Sequence, residues 1–162
     1  MDPPRWLADE MLGRLSRYLR FCGQDVEYAR GLSDEEIRQR AQAERRTLLT
    51  RDRLLAARTP GAVLLRTVQV GAQLREVQGA VPGLLWKVRF ERCSICNGVL
   101  EPWSPPPGEP WPPEVPHPKG VDPPDAVVVY ACRKCGHRYW EGSHTARIRR
   151  DLGNWLGTEG SA

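Results

Sequence analysis

Lysine is nearly missing from this chain. Lys87, Lys119 and Lys134 are the only lysines among 24 basic residues, which leaves 21 arginines in 162 positions. Arginine is the planar, bidentate partner of phosphate, although a GC-rich coding sequence would give the same bias with no partner at all. No apolar run reaches the length of a membrane span, and no secretory leader opens the sequence. These absences argue against a membrane protein and point to the cytosol. In that compartment a disulfide framework is not expected, so five cysteines read as metal ligands or buried thiols. What remains is ordinary for a soluble globular protein: 40% hydrophobic and 27% charged residues. The length suits one mid-sized domain or two small ones, enough to bury a core.

Charge is spread unevenly. Residues 1–90 carry 16 basic and 11 acidic side chains, net +5, and residues 91–162 carry 8 and 9, net −1. Any pull on a polyanion therefore belongs to the first part. That part alternates helix and strand signals. Leu12, Leu15, Leu19 and Cys22 recur at helical spacing, with Arg14, Arg17 and Arg20 off the stripe and Gly23 as the stop. A strand follows at 25–29. The helix at 32–44 begins with Ser33 as N-cap and Glu36 three residues on, the capping-box spacing, and buries Ile37 and Ala41. "TLLT" (47–50) is a strand, "RLLAAR" a short helix, 62–66 a strand and 70–81 a helix. Strands separated by helices imply a parallel sheet with helices packed on it. The division expected is residues 1–90 followed by a second unit at 91–156.

From Trp86 the pattern changes. "WKVRFE" and "AVVVYA" read as strands, each running into a CxxC. Between them, residues 101–125 hold 11 of the 15 prolines. Proline sustains neither a helix nor a central strand, so the insert at 102–124 is an extended loop or semi-rigid arm. Cys93 and Cys96, with Cys132 and Cys135, supply four thiolates in two pairs, the set of a structural zinc site with no open position. Asn97-Gly98 and Gly136-His137 follow the pairs, and turn-forming residues there let backbone amides point at the sulfurs. Cys22 stands apart as a core residue. Residues 145–156 read as a closing helix.

Ligands of an open parallel sheet gather at the carboxyl ends of its strands. Asp52 lies just past "TLLT", and Asp9 just past the apolar segment "RWLA"; both should emerge on one edge. Asp34, Glu35 and Glu36 lie in the first turn of the second helix. Crowded carboxylates repel unless a cation joins them, and Mg²⁺ or Mn²⁺ suits oxygen ligands. The same residues also suit purely structural roles, since Asp9 and Asp52 can cap helices and acids in a first turn favour the macrodipole.

The stretches "LADEMLGRLSRYLRFCGQDVEYA", "SDEEI" and "RRTLLTRD", then two CxxC units ending in "CGHRYWEGSH", resemble the Mut-seven C-terminal ribonuclease domain family. That family is a branch of PIN-like nucleases fused to a zinc ribbon. The resemblance implies an α/β fold, a PIN-like parallel sheet flanked by helices and followed by a small β-rich zinc ribbon. It also implies a hydrolase that cuts RNA with Mg or Mn, its metal-binding acids falling on Asp9, Asp34 and Asp52. The family often has consecutive aspartates where this chain reads Ser33-Asp34-Glu35, which keeps Glu35 beside Asp34 as a candidate. Asp25 and Glu27 are nearby candidates for a fourth acid. The "GSH" at 142–144 gives His144 either a phosphate contact or a role in locking the ribbon to the tail helix. Under this reading Arg14, Arg17, Arg20 and Arg51 neutralise RNA phosphates at the rim of the acidic site, the alternative being a solvated helix face, above all for Arg17 and Arg20. Trp103, Trp111 and Trp140 either stack on unpaired bases or pack locally. The competing reading is a non-catalytic RNA-binding zinc-ribbon protein. Nothing in the sequence specifies an oligomeric state.

Overall fold

The computed structural model describes residues 2–115 and 128–157. Its first half runs β1 (Arg5–Asp9), α1 (Gly13–Phe21), β2 (Asp25–Ala29), α2 (Asp34–Ala43), β3 (Thr47–Thr50), α3 (Arg53–Arg58), β4 (Val63–Leu64) and α4 (Val70–Ala80). The four strands form one parallel sheet in the order β2-β1-β3-β4. The chain leaves β1 for one neighbour and returns past it to the other. This reversal makes the carboxyl ends of β1 and β3 a topological switch point.

Side-chain alternation along the strands sends residues to two apolar layers. Trp6, Ala8 and Leu49 join Leu12, Leu15 and Leu19, and Val70, Leu74 and Val77 from α4, in the larger buried cluster. Leu7 and Leu48 face the other way, onto Ile37, Ala41 and Leu55. Helix ends follow their sequence signals. Ser33 and Glu36 form the capping box of α2. Gly23, at φ +77°, ends α1 with paired bonds from Gly23 N to Arg20 O (2.9 Å) and Gln24 N to Leu19 O (3.0 Å). At the end of α2 the same motif uses Arg45 at φ +51°, where glycine is the usual choice.

The second half contributes β5 (Leu100–Trp103), β6 (Val129–Cys132) and β7 (Arg138–Tyr139) as a small antiparallel sheet, then α5 (Ser143–Leu156). Helix α5 turns back onto the first half: Tyr18 Oη donates to Asp151 Oδ2 at 2.9 Å, and the Tyr18 and Trp155 rings meet edge to face at 5.0 Å. Gly71 is needed there, because a Cβ would lie 2.6 Å from the Trp155 ring.

"WKVRFE" is not a strand. Its alternating apolar residues do sink into the core, with Val88 buried and Trp86 and Phe90 packed beside it. Among the described residues only its last member meets a strand, Glu91 O accepting from Leu100 N (3.0 Å) at the start of β5, and its other anchors are Arg89 N to Phe21 O (2.8 Å) and Phe90 stacked on Tyr130. The proline-rich arm is described as far as Val115, and the rest of the 102–124 insert lies outside the described residues. No helix among the described residues is long and apolar enough to cross a membrane.

Candidate functional site

The carboxyl edge of the parallel sheet carries the first cluster. Asp9 is the last residue of β1, in register with Ala29 of β2, and Asp52 lies two residues past the end of β3. Thr50, fully buried, sits between them. Its hydroxyl donates to Asp9 Oδ2 at 2.8 Å and accepts from the Asp52 amide at 3.0 Å. One buried hydroxyl thus ties the two strand ends together. The capping roles are also realised. Asp9 Oδ1 accepts from Glu10 N (2.7 Å), and Asp52 Oδ1 accepts from Leu54 N (2.8 Å) and Leu55 N (3.0 Å) at the start of α3. A carboxylate has about four acceptor sites, so these bonds leave capacity on both groups. Neither Asp9 nor Asp52 has an ion-pair partner among the described residues.

Asp34 opens α2, five residues past the end of β2, and is exposed. Glu35 is committed elsewhere: it pairs with Arg38 and accepts from Gln39 Nε2 at 3.1 Å along the helix surface. Among the described residues, no three carboxylates bring oxygens within 4.8 Å of one another.

Asp25 and Glu27 are not part of this edge. Asp25 is in register with Arg5 at the start of β1, about 13 Å from Asp9 at the usual rise of a strand. It pairs with Arg46 (2.8 Å), Arg5 (3.4 Å) and Arg92 (3.7 Å) and accepts from Asn97 Nδ2 at 2.8 Å. Burial works against its ionisation, yet the bonds from Arg46 and Asn97 hold its carboxyl below the usual range. Glu27 is taken by Arg40 (3.3 Å) and Asn97 (3.1 Å).

The basic residues divide into surface and core. Arg14 and Arg17 are exposed on α1 and, with Arg147 and His144, line a shallow cavity of about 140 Å³. Arg17 and His144 also border a cavity of about 310 Å³ together with His137, Arg138 and Trp140 of the ribbon. His144 does both things expected of it: it is exposed to these cavities, and its ring packs edge-on against Phe21 at 5.6 Å. Arg51, next to Asp52, is half-buried. Arg20 departs from the surface role its spacing suggested. It is buried, donating from Nε to Val26 O (2.9 Å) and from Nη1 to Ser94 O and Ile95 O (both 3.1 Å). The guanidinium staples the first cysteine loop to the sheet. Asn97 does the same beside it, its Oδ1 accepting the outward amide of Val26 on edge strand β2 at 2.9 Å. Trp103 and Trp111 pin the arm to the ribbon: their rings meet at 5.8 Å, and the Arg138 guanidinium covers Trp103 at 4.0 Å.

The second cluster is the cysteine set. The sulfurs of Cys93, Cys96, Cys132 and Cys135 all lie within 4.8 Å of one another. Cys93 and Cys135 are 3.6 Å apart, Cys96 and Cys132 3.5 Å. A tetrahedral zinc with bonds of about 2.3 Å would hold sulfurs roughly 3.8 Å apart, whereas a disulfide needs about 2.05 Å. The four cysteines therefore could hold a zinc ion. The turns fit the same purpose. Asn97 (φ +65°) and Gly136 (φ +76°) bend the backbone behind each pair, and a Cβ on Gly98 would come 2.5 Å from Cys132 Sγ. Burial disfavours the Cys132 thiolate, but the amides of Cys135 and Lys134 aimed at its sulfur bring the thiol down to about 7. Cys22, deep among apolar neighbours, goes the other way, its thiol pushed up to about 12 by burial.

Thr50, Arg20 and Asn97 are the structural partners that the sequence pattern does not single out. The signal for Thr50 was available: a hydroxyl on the inward phase of a buried strand end needs an acceptor.

Searches of curated proteins and of solved structures return no match. The model of the Mut7-C RNAse domain matches residues 4–152 of the 162, spanning both the acidic sheet edge and the four cysteines, and implies a ribonuclease-like function. The chain belongs to the Mut7-C RNAse domain family.

Proposed function

We propose that the protein is a divalent-metal-dependent ribonuclease whose centre is the pair Asp9 and Asp52. The observation that carries this reading is the hydroxyl of Thr50, which joins the Asp9 carboxylate to the Asp52 backbone amide, so that two acids without an ion-pair partner among the described residues stand at neighbouring strand ends at a topological switch point. Bound Mg²⁺ or Mn²⁺ would lower the pKa of a water and offset the charge that develops on the phosphodiester. Asp9 and Asp52 would hold that ion with their free lone pairs, and Thr50 would fix the orientation of Asp9. Asp34 would reach it from the first turn of α2. It is preferred to Glu35, whose carboxylate already has Arg38 and Gln39. Arg14, Arg17, Arg51 and His144 would contact RNA phosphates around this edge. Zinc on the four cysteines would be structural, because a full set of thiolates leaves no position for water or substrate.

Labelled RNA incubated with the protein and Mg²⁺ or Mn²⁺ tests this. Cleavage should fall on the order of 100-fold or more in Asp9→Asn and in Asp52→Asn. Cleavage at the wild-type rate in both variants would remove the proposal. The cavity between Arg17, His144, Arg138 and Trp140 favours a second reading, RNA binding by the ribbon face without catalysis. In that case RNA affinity would survive loss of both aspartates and no cleavage would occur.

A further inference from the structure

A second feature of the carboxyl edge lies one strand beyond the aspartates. Arg51, Arg53 and Arg66 line a cavity of about 210 Å³ together with Leu64 and Leu65. Their convergence follows from the topology. Arg51 directly follows β3, Arg53 opens α3, and Arg66 lies two residues past β4. Strands β3 and β4 are parallel neighbours with Thr50 opposite Leu64, so the three residues meet at the same ends of adjacent strands.

Three guanidiniums around one small cavity repel each other unless an anion joins them. Some arginines of this half, Arg5, Arg38, Arg40 and Arg46 among them, have carboxylate partners. Arg51, Arg53 and Arg66 have no ion pair among the described residues. Glu76 offsets part of the charge of Arg66. Three of its roughly four acceptor sites, however, are taken by the amides of Arg66 (2.8 Å) and Thr67 (3.1 Å) and by the Thr67 hydroxyl (2.5 Å). Arg51 adds a sharper sign: its Nε is buried and has no hydrogen-bond partner. Buried N–H groups without an acceptor are rare, and each calls for a missing partner. Guanidiniums matched to a tetrahedral oxyanion are the usual answer for phosphate.

We propose that Arg51, Arg53 and Arg66 form a subsite for the RNA phosphate next to the one held at Asp9 and Asp52; this rests on the ribonuclease reading above. Along the edge the order is then Asp34 beyond β2, Asp9 on β1, Asp52 past β3, and the arginine cavity between β3 and β4. Carboxylates that suit a cation give way to cations that suit an anion, one strand spacing away, roughly 4.8 Å in the plane of the sheet. A single RNA strand crossing the strand ends places one phosphodiester at the aspartates and its neighbour in the cavity.

The test is equilibrium binding of short labelled single-stranded RNA to Asp9→Asn protein over a salt series. Arg53→Gln and Arg66→Gln should each weaken binding roughly tenfold and reduce the salt slope by about 0.7, the loss of one single-strand phosphate contact. Arg66→Lys should keep the slope and lose part of the affinity. Arg58→Gln, exposed and outside the cavity, should change neither. Inorganic phosphate should compete less well in Arg66→Gln than in its parent. RNAs with and without a terminal phosphate separate the two sources of the group. A loss seen with both assigns the cavity to an internal phosphodiester; a loss confined to phosphorylated ends assigns it to a terminus. Unchanged affinity and slope in both glutamine variants would overturn the subsite, even if Asp9→Asn and Asp52→Asn abolish cleavage. Weakened binding in variants of a protein that never cleaves would uphold the subsite and overturn the nuclease reading.

Discussion

The two ends of one parallel sheet treat the same side chain in opposite ways. At the amino edge Asp25 is surrounded by Arg5, Arg46 and Arg92, and in the middle of the same strand Glu27 pairs with Arg40. At the carboxyl edge, Asp9 and Asp52 receive backbone amides and one hydroxyl, and no cation among the described residues. Nearness of carboxylates alone does not mark a site. What separates the two edges is whether the fold supplies the counter-charge. Where it does, the acids hold elements together: Asp25 and Glu27 anchor Asn97 and so the first cysteine loop. Where it does not, the acids keep lone pairs that the proposed metal would use.

Exchanging charge for a neutral amide should separate the edges. Asp25→Asn leaves Arg46, only 6% exposed, with Glu44 (2.6 Å) as its one remaining close carboxylate, and should cost about 2–3 kcal/mol in denaturant melts. RNA cleavage should survive at temperatures where the variant is folded. The pH dependence has a definite sign. The carboxyl of Asp25 is held below its ordinary value in the folded state. Its contribution is therefore present above the unfolded pKa of about 3.9 and is lost as pH falls through the depressed folded value. Acid titrations of stability should show that loss in the wild type and a flatter profile in Asp25→Asn. A wild-type profile in the variant would show that the amino edge is not the structural one.

Thr50→Val removes the hydroxyl between the catalytic candidates and keeps the shape. Its effect should fall on function, with activity reduced roughly 10- to 100-fold and metal affinity weakened, as for other groups that orient a metal ligand. Normal activity with a lower melting temperature would make Thr50 a packing residue only. The smallest effect belongs to Arg45, which closes α2 in the left-handed region beside the amino edge. Arg45→Gly should stabilise the protein by about 0.5–1 kcal/mol with no change in cleavage, since relief of the strain outweighs the added chain entropy. A destabilised variant would mean that its side chain matters more than its backbone.

Much of this was legible in the sequence where a rule is local. The capping box of Ser33 and Glu36, the stop at Gly23, the stripe from Leu12 to Cys22 and the paired CxxC units each depend on neighbours a few positions away. The placement of Asp9 and Asp52 at one edge followed from strand direction, which parallel topology fixes. What escaped depends on partners distant in the chain. Arg20 looks like a surface residue until the cysteine loop, more than 70 positions later, closes over it. "WKVRFE" has the alternation of a strand but, among the described residues, meets a strand only at Glu91, where Leu100 of β5 donates to it. Asp25 and Asp9 look equivalent until the arginines of one edge are counted.

Manganese binding measured without reference to catalysis reaches the central claim most directly. Titrating Mn²⁺ into the zinc-loaded protein while following thermal unfolding should raise the stability of the wild type, by about 2.7 kcal/mol at one hundred times the dissociation constant. The increase should disappear in Asp9→Asn and Asp52→Asn and persist in Asp25→Asn. An equal increase in all four proteins would contradict the account, because the ion would then bind somewhere other than the edge that Thr50 ties together.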